Sequence, residues 1–164
     1  MVMLSKERVL EVLNEVMDPE VPVISVVELG IVRDVVVAGD RVHVTVTPTY
    51  SGCPAMKVIE DDIRAALVSA GAPAVDVRTV YAPAWTTDWI GAEAREKLRA
   101  FGIAPPGRAP STDLVTLTRR QAPVACPYCG SADTRLQSEF GSTACKAIHV
   151  CNACRQPFDE FKAI

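Results

Sequence analysis

Residues 126–154 read CPYCGSADTRLQSEFGSTACKAIHVCNAC, and this stretch decides how the C-terminal part of the chain folds. Two C-x-x-C knuckles, Cys126 with Cys129 and Cys151 with Cys154, stand 21 residues apart. Each can turn tightly enough to aim both sulfurs at one ion, and the spacer suffices for a β-hairpin that returns the chain to the same point. Four thiolates around a d¹⁰ cation make a closed tetrahedral site, the usual form of structural zinc; an iron–sulfur cluster is the alternative occupant of four cysteines. A module this small has little core, so the metal is expected to supply most of its folding free energy. Cys145 lies in the spacer, off the knuckle spacing. It reads as a small buried residue of the ribbon or, alternatively, as a spare ligand. His149 is either a further ligand or a residue on the polar face of a strand.

Upstream, Pro105-Pro106-Gly107 through Pro110 marks a linker. The expected division is a first domain over residues 1–104, a linker over 105–122 and the ribbon over 123–164. In the first domain Ser5 to Met17 reads as an amphipathic helix with Ser5 as N-cap, stopped by Asp18-Pro19. Val21 to Val27 reads as extended. Ile31–Val37 and Arg41–Thr47 flank Ala38-Gly39-Asp40, and the alternation of Val42, Val44 and Val46 with His43, Thr45 and Thr47 predicts a hairpin. Pro54 opens a second helix carrying Met56, Ile59, Ile63, Ala66 and Leu67 on one side, capped by Gly71. A strand around Val75–Val80 and a shorter helix over Trp89–Phe101 complete the set. The order predicts an α+β fold: a small two-layer α/β-sandwich domain followed by a four-cysteine zinc ribbon.

With 164 residues, 49% apolar and 23% charged, the chain can bury one ordinary core plus an appendage. The formal charge of −3 argues against nucleic acid as a partner. No run approaches the roughly 18 apolar residues of a membrane span, and Lys6, Glu7 and Arg8 occupy the place of a signal peptide's apolar region. A cytoplasmic protein is expected, in which six cysteines serve as ligands or reactive thiols and not as disulfides.

Cys53 is the lone cysteine of the first domain. Thr47-Pro-Thr-Tyr-Ser-Gly52-Cys53-Pro54 runs from a strand end into a helix start, which places the thiol at or beside the N-cap. There the helix dipole would favour the thiolate, making Cys53 a candidate nucleophile or transient metal ligand; a small residue in a crowded turn is the plainer reading. Asp18 and Glu20 are candidate carboxylates beside that loop, or the end of a helix. No base partner for Cys53 can be read, since His43 sits on the preceding strand, and no catalytic constellation emerges. Trp85 and Trp89 read as core anchors, with a partner-binding patch as the second reading.

Asp18-Pro19-Glu20, Leu29-Gly30, the valine hairpin and Gly52-Cys53-Pro54 resemble the small α+β domain of iron–sulfur assembly factors, over about the first hundred residues. Pro48-Thr-Tyr-Ser-Gly-Cys-Pro54, Pro83-Ala-Trp-Thr-Thr-Asp-Trp89, Phe140-Gly-Ser-Thr-Ala-Cys-Lys146 and Pro157-Phe-Asp159, together with the ribbon, narrow the resemblance to the PaaD family, the D components of phenylacetyl-CoA epoxidases. The resemblance implies a non-catalytic accessory protein that helps install or repair the iron–sulfur centre of the epoxidase reductase or the di-iron centre of its oxygenase subunit. Those subunits are then its expected partners, alongside a homo-oligomer. It also implies that Cys53 is the functional thiol. In one respect the chain departs from the pattern: Ala163 stands where relatives carry a cysteine near the C-terminus, so any joint role with Cys145 is either dispensable here or carried by Cys145 alone. The competing functions are a structural subunit of the oxygenase complex and a nucleic-acid-binding ribbon protein, the latter opposed by the acidic balance.

Overall fold

The computed structural model describes residues 4–108 and 123–164. They form two compact units, one comprising residues up to Trp85 with Trp89–Gly91, the other Thr86–Asp88 and Ala92 onward.

The first unit is the expected two-layer sandwich. Helix α1, Lys6–Leu13, starts where Ser5 accepts a hydrogen bond from the Arg8 N–H at 3.2 Å. It ends at Asn14, earlier than the apolar periodicity suggested. Strands β1 (Val32–Ala38) and β2 (Arg41–Val46) form the antiparallel hairpin, turned at Gly39 with φ +63. Helix α2, Met56–Ser69, then carries the chain to β3, Ala74–Thr79, which pairs parallel with β2. Gly71, at φ +101, ends α2 as expected. The helices cover one face of the sheet, where Val9, Leu13, Val44, Val46, Ile59, Ile63 and Leu67 are buried. On the other face His43 pairs with Asp76 at 3.2 Å.

Val21–Val27 is not the extended segment its β-branched residues suggest but a run of turns. Asp18 accepts from the Glu20 and Val21 N–H groups, both at 2.8 Å. Ser25 and Glu28 exchange a reciprocal pair, Ser25 N–H to the Glu28 carboxylate at 2.9 Å and Glu28 N–H to the Ser25 hydroxyl at 3.1 Å. Side-chain acceptors thus satisfy the backbone that a strand neighbour would otherwise serve, while Val21, Ile24 and Val26 enter the core. Gly30, at φ +78, lies so close to Trp89 that a Cβ there would meet the Trp89 Cβ at 2.9 Å. Trp85 is buried and donates its indole N–H to the Leu29 carbonyl at 3.0 Å, which is the core-anchor role expected of it. Trp89 lies under the Arg33 guanidinium, 3.5 Å from the ring centroid.

In the second unit α3, Ala92–Ala100, begins three residues later than expected because Thr87–Trp89 forms a separate 3₁₀ turn. The short β4, Ile103–Ala104, pairs in parallel with β7, Pro157–Phe161, through Ile103 with Asp159 and Ala104 with Glu160. Residues 92–104, read from the sequence with the first domain, therefore group with the ribbon. Strands β5 (Thr134–Ser138) and β6 (Lys146–Cys151) complete a sheet of order β4-β7-β6-β5. Of the expected linker, residues 109–122 lie outside the described residues.

Candidate metal centre and thiol loop

The four knuckle cysteines converge. Their sulfurs all lie within 4.8 Å of one another, with Cys126 to Cys154 at 3.7 Å and Cys129 to Cys151 at 3.6 Å. Sulfurs about 2.3 Å from one ion stand about 3.8 Å apart at the corners of a tetrahedron, so the donor set fits a single ion. A multi-iron cluster would hold them further apart, since sulfide and several iron atoms stand between.

The two knuckles repeat one backbone pattern. The Cys126 carbonyl accepts from Gly130 N–H at 2.8 Å and the Cys126 N–H donates to the Ser131 carbonyl at 2.9 Å. At the second knuckle the Cys151 carbonyl accepts from Arg155 N–H at 3.0 Å and the Cys151 N–H donates to the Gln156 carbonyl at 3.0 Å. In both, the residue four beyond the first cysteine is left-handed: Gly130 at φ +75 and Arg155 at φ +66. The glycine of C-x-x-C-G is the sequence signal for that turn. Arg155 carries no such signal and bears the strain of a side chain at positive φ.

Behind the sulfurs lies a small core of Ala104, Cys126, Cys151 and Phe158, with Val124 and Cys154 at its margin. Four ionisable thiols this close cannot all shed protons without a cation. Cys151 is drawn down to about 7, chiefly by the Cys154 N–H, with the Cys129 and Cys154 sulfurs also contributing. Cys129 is pushed up to about 12: a hydrogen bond from the Ser131 backbone lowers it, but the neighbouring sulfurs and burial outweigh that bond. A bound dication reverses this competition and holds all four as thiolates.

Neither of the other ribbon candidates joins the cluster. Cys145 is buried beside the Thr143 hydroxyl at 3.1 Å, and its carbonyl accepts from Lys162 N–H at 2.9 Å, next to Ala163. His149 is buried, not on a polar face as its strand position suggested. Its ring stacks on Phe158 with centroids 5.6 Å apart, and Nε2 lies 2.7 Å from the Glu160 carboxylate. The half-buried Glu160 carboxylate on the neighbouring strand satisfies one ring nitrogen, which is how a histidine comes to face inward. A further device had no sequence signal: Thr86 and Thr87 hold the C-terminal residue, the Ile164 carbonyl accepting from the Thr86 hydroxyl at 2.8 Å and from the Thr87 N–H at 3.1 Å.

In the first unit Cys53 is half-buried in the loop between β2 and α2. The N-cap of α2 is Ala55, so Cys53 sits two residues before the cap and not at it. Its thiol is pushed up, not down: burial is the largest cause, and the negative charges of Glu20 and Asp18 add to it against lowering hydrogen bonds from the Ala55 and Met56 backbone. The expectation of a dipole-stabilised thiolate is thus corrected, because desolvation and two anions outweigh the helix end. The same charges place Asp18 and Glu20 in the electrostatic neighbourhood of the thiol. The buried Asp18 is already engaged by two backbone N–H groups.

Comparison with known proteins follows the same division. The family described as iron-sulfur cluster assembly protein matches residues 6–82, and the PaaD zinc beta ribbon domain matches residues 110–162. A protein of Escherichia coli named as the D component of 1,2-phenylacetyl-CoA epoxidase is 46% identical over 93% of this chain and 89% of its own length. An Fe-S protein maturation auxiliary factor of Bacillus subtilis is 38% identical over 55% of this chain and 89% of its own. A crystal structure of a domain of unknown function from Bacillus anthracis superposes with a TM-score of 0.54 at 27% identity, covering 57% of this chain and 90% of that one. Among the described residues no helix is long and apolar enough to cross a membrane.

Proposed function

Because the chain belongs to the family of 1,2-phenylacetyl-CoA epoxidase D components, we propose that it is an accessory maturation factor of that oxygenase system, assisting assembly of an iron–sulfur or di-iron centre and catalysing no step of the epoxidation itself. The observation that carries this reading is the pairing of two dissimilar sulfur sites: a closed four-cysteine zinc site, and a single half-buried thiol beside two carboxylates in the assembly-factor unit. A closed site retains its ion, whereas one thiolate with oxygen neighbours binds a cation weakly enough to release it.

At the ribbon, Cys126, Cys129, Cys151 and Cys154 would hold zinc, whose role there is to fix the fold. At the loop the iron is cargo. The Cys53 thiol stays protonated at rest, because burial and the charges of Glu20 and Asp18 oppose its ionisation. An arriving cation is attracted by those carboxylates and displaces the thiol proton to solvent. The backbone N–H groups of Ala55 and Met56 already point at the sulfur and stabilise it once charged. Departure of the cation returns the proton, so the site resets without a redox step.

The reading is tested in cells that depend on the epoxidase. Cys53→Ser is expected to leave the protein folded and zinc-loaded while lowering epoxidase activity and the iron content of the purified oxygenase or reductase. Full activity with Cys53→Ser would remove the thiol from the function.

A further inference from the structure

The end of the first unit that bears Cys53 is built from three segments, residues 17–32, 47–56 and 80–85. Thr47 N–H donates to the Ile31 carbonyl at 2.9 Å and Val80 N–H to the Val46 carbonyl at 2.9 Å, so the Cys53 loop and the segment after β3 leave the sheet side by side. None of the three contains a Lys, Arg or His, although the chain has 17 Lys and Arg. Their charged side chains are Asp18, Glu20 and Glu28, all negative. The rim is also apolar and open: Tyr81 is 62% exposed and Met17 43%, and Ala82, Pro83 and Ala84 are exposed in succession. An exposed Tyr and Met on a stretch poor in charge is the composition of an interface centre, not of ordinary surface.

We propose that this end of the first unit is a docking face for a client polypeptide whose contact surface is basic. The sign follows from complementarity: the charge the three segments leave accessible is that of Glu20 and Glu28, while the flanking cations are engaged, Arg33 over the Trp89 ring and on the Gly30 carbonyl, Lys57 on Asp61. The proposal rests on Cys53 as the cargo ligand and adds the partner's chemistry to it. It also gives Glu20 a second use: a positive group brought against it offsets one of the charges that, with burial, oppose ionisation of the thiol.

The test uses the full zinc-loaded chain and, as probes, the purified oxygenase and reductase components of the epoxidase, each stripped of iron. One of them is expected to bind, with affinity falling as salt rises. Tyr81→Lys is expected to weaken binding about tenfold or more while Tyr81→Phe and Cys53→Ser bind as the unaltered chain does. Binding that ignores both salt and Tyr81→Lys, or no binding by either component, overturns the docking face. Iron delivery separates the two ideas. If Tyr81→Lys delivers iron as well as the unaltered chain, the docking face falls and the thiol reading stands; if Cys53→Ser delivers while Tyr81→Lys does not bind, the face stands and the thiol reading falls.

Discussion

The four-cysteine site and the Cys53 loop use the same side chain for opposite ends. In the ribbon, two copies of one backbone turn bring four sulfurs to the corners of a tetrahedron, and two of the four residues in the buried cluster behind them, Cys126 and Cys151, are themselves ligands. In the first unit a full core of β-branched and leucine side chains stands by itself, and its one thiol sits at the margin among carboxylates. Where the metal is the core, the site must be closed; where the core is complete, a thiol can remain available. On the proposed reading, resident ion and cargo ion are kept on separate ligands within one chain.

The contrast breaks most sharply on cysteine replacement. Cys151→Ser should abolish stoichiometric zinc and unfold the ribbon, because structural zinc contributes on the order of 10 kcal/mol to such modules; metal analysis and circular dichroism measure both. Cys53→Ser should leave zinc at one per chain. Acidification sharpens it next. Zinc binds only thiolates, so protons compete with the ion for all four sulfurs. Zinc should therefore be lost to a chelator increasingly as pH falls, with more than one proton taken up per ion released, as a pH-stat records. At Cys53 the sign runs through the neighbours: Glu20→Gln removes an anion that raises the thiol, leaving more thiolate at pH 7.5. Its alkylation by iodoacetamide should accelerate by a factor of about two to five, as expected for one partly screened charge.

Backbone positions give smaller effects. Gly30→Ala should destabilise the first unit by about 2 kcal/mol, since φ is +78 and the added carbon meets the Trp89 backbone and Cβ, which cannot swing away. Gly102→Ala, at φ +91, meets the far end of the Tyr128 ring and should cost the second unit less. Smallest of all, Arg155→Gly should stabilise the metal-bound ribbon by at most about 1 kcal/mol, read as a higher midpoint of zinc-loaded unfolding.

Much of this was legible because it is local. Ser5 announces a cap, Gly39 a hairpin turn, and two C-x-x-C pairs a metal site, each through residues a few positions apart. Legibility failed where distant parts of the chain intervene. Val21–Val27 has strand propensity, but Asp18, Ser25 and Glu28 capture its backbone and the core takes its side chains. Residues 92–104 look continuous with the first domain until β4 finds β7. His149 alternates like a solvent-facing residue until Glu160 meets it from the neighbouring strand. At the Cys53 loop the electrostatics were misread, because a helix N-terminus is visible in sequence whereas the burial of the thiol is not.

The placement of the two tryptophans gives the molecule a built-in pair of optical channels. Trp85 and Trp89 are the only indoles in the chain, and both serve the first unit, one buried on the Leu29 carbonyl and one beneath the Arg33 guanidinium. Indole fluorescence, excited apart from tyrosine, therefore follows the first unit, while thiolate-to-metal absorption, with cobalt in place of zinc, follows the second. A single titration with denaturant or chelator, watched at both wavelengths, reports whether losing the resident ion is felt in the first unit.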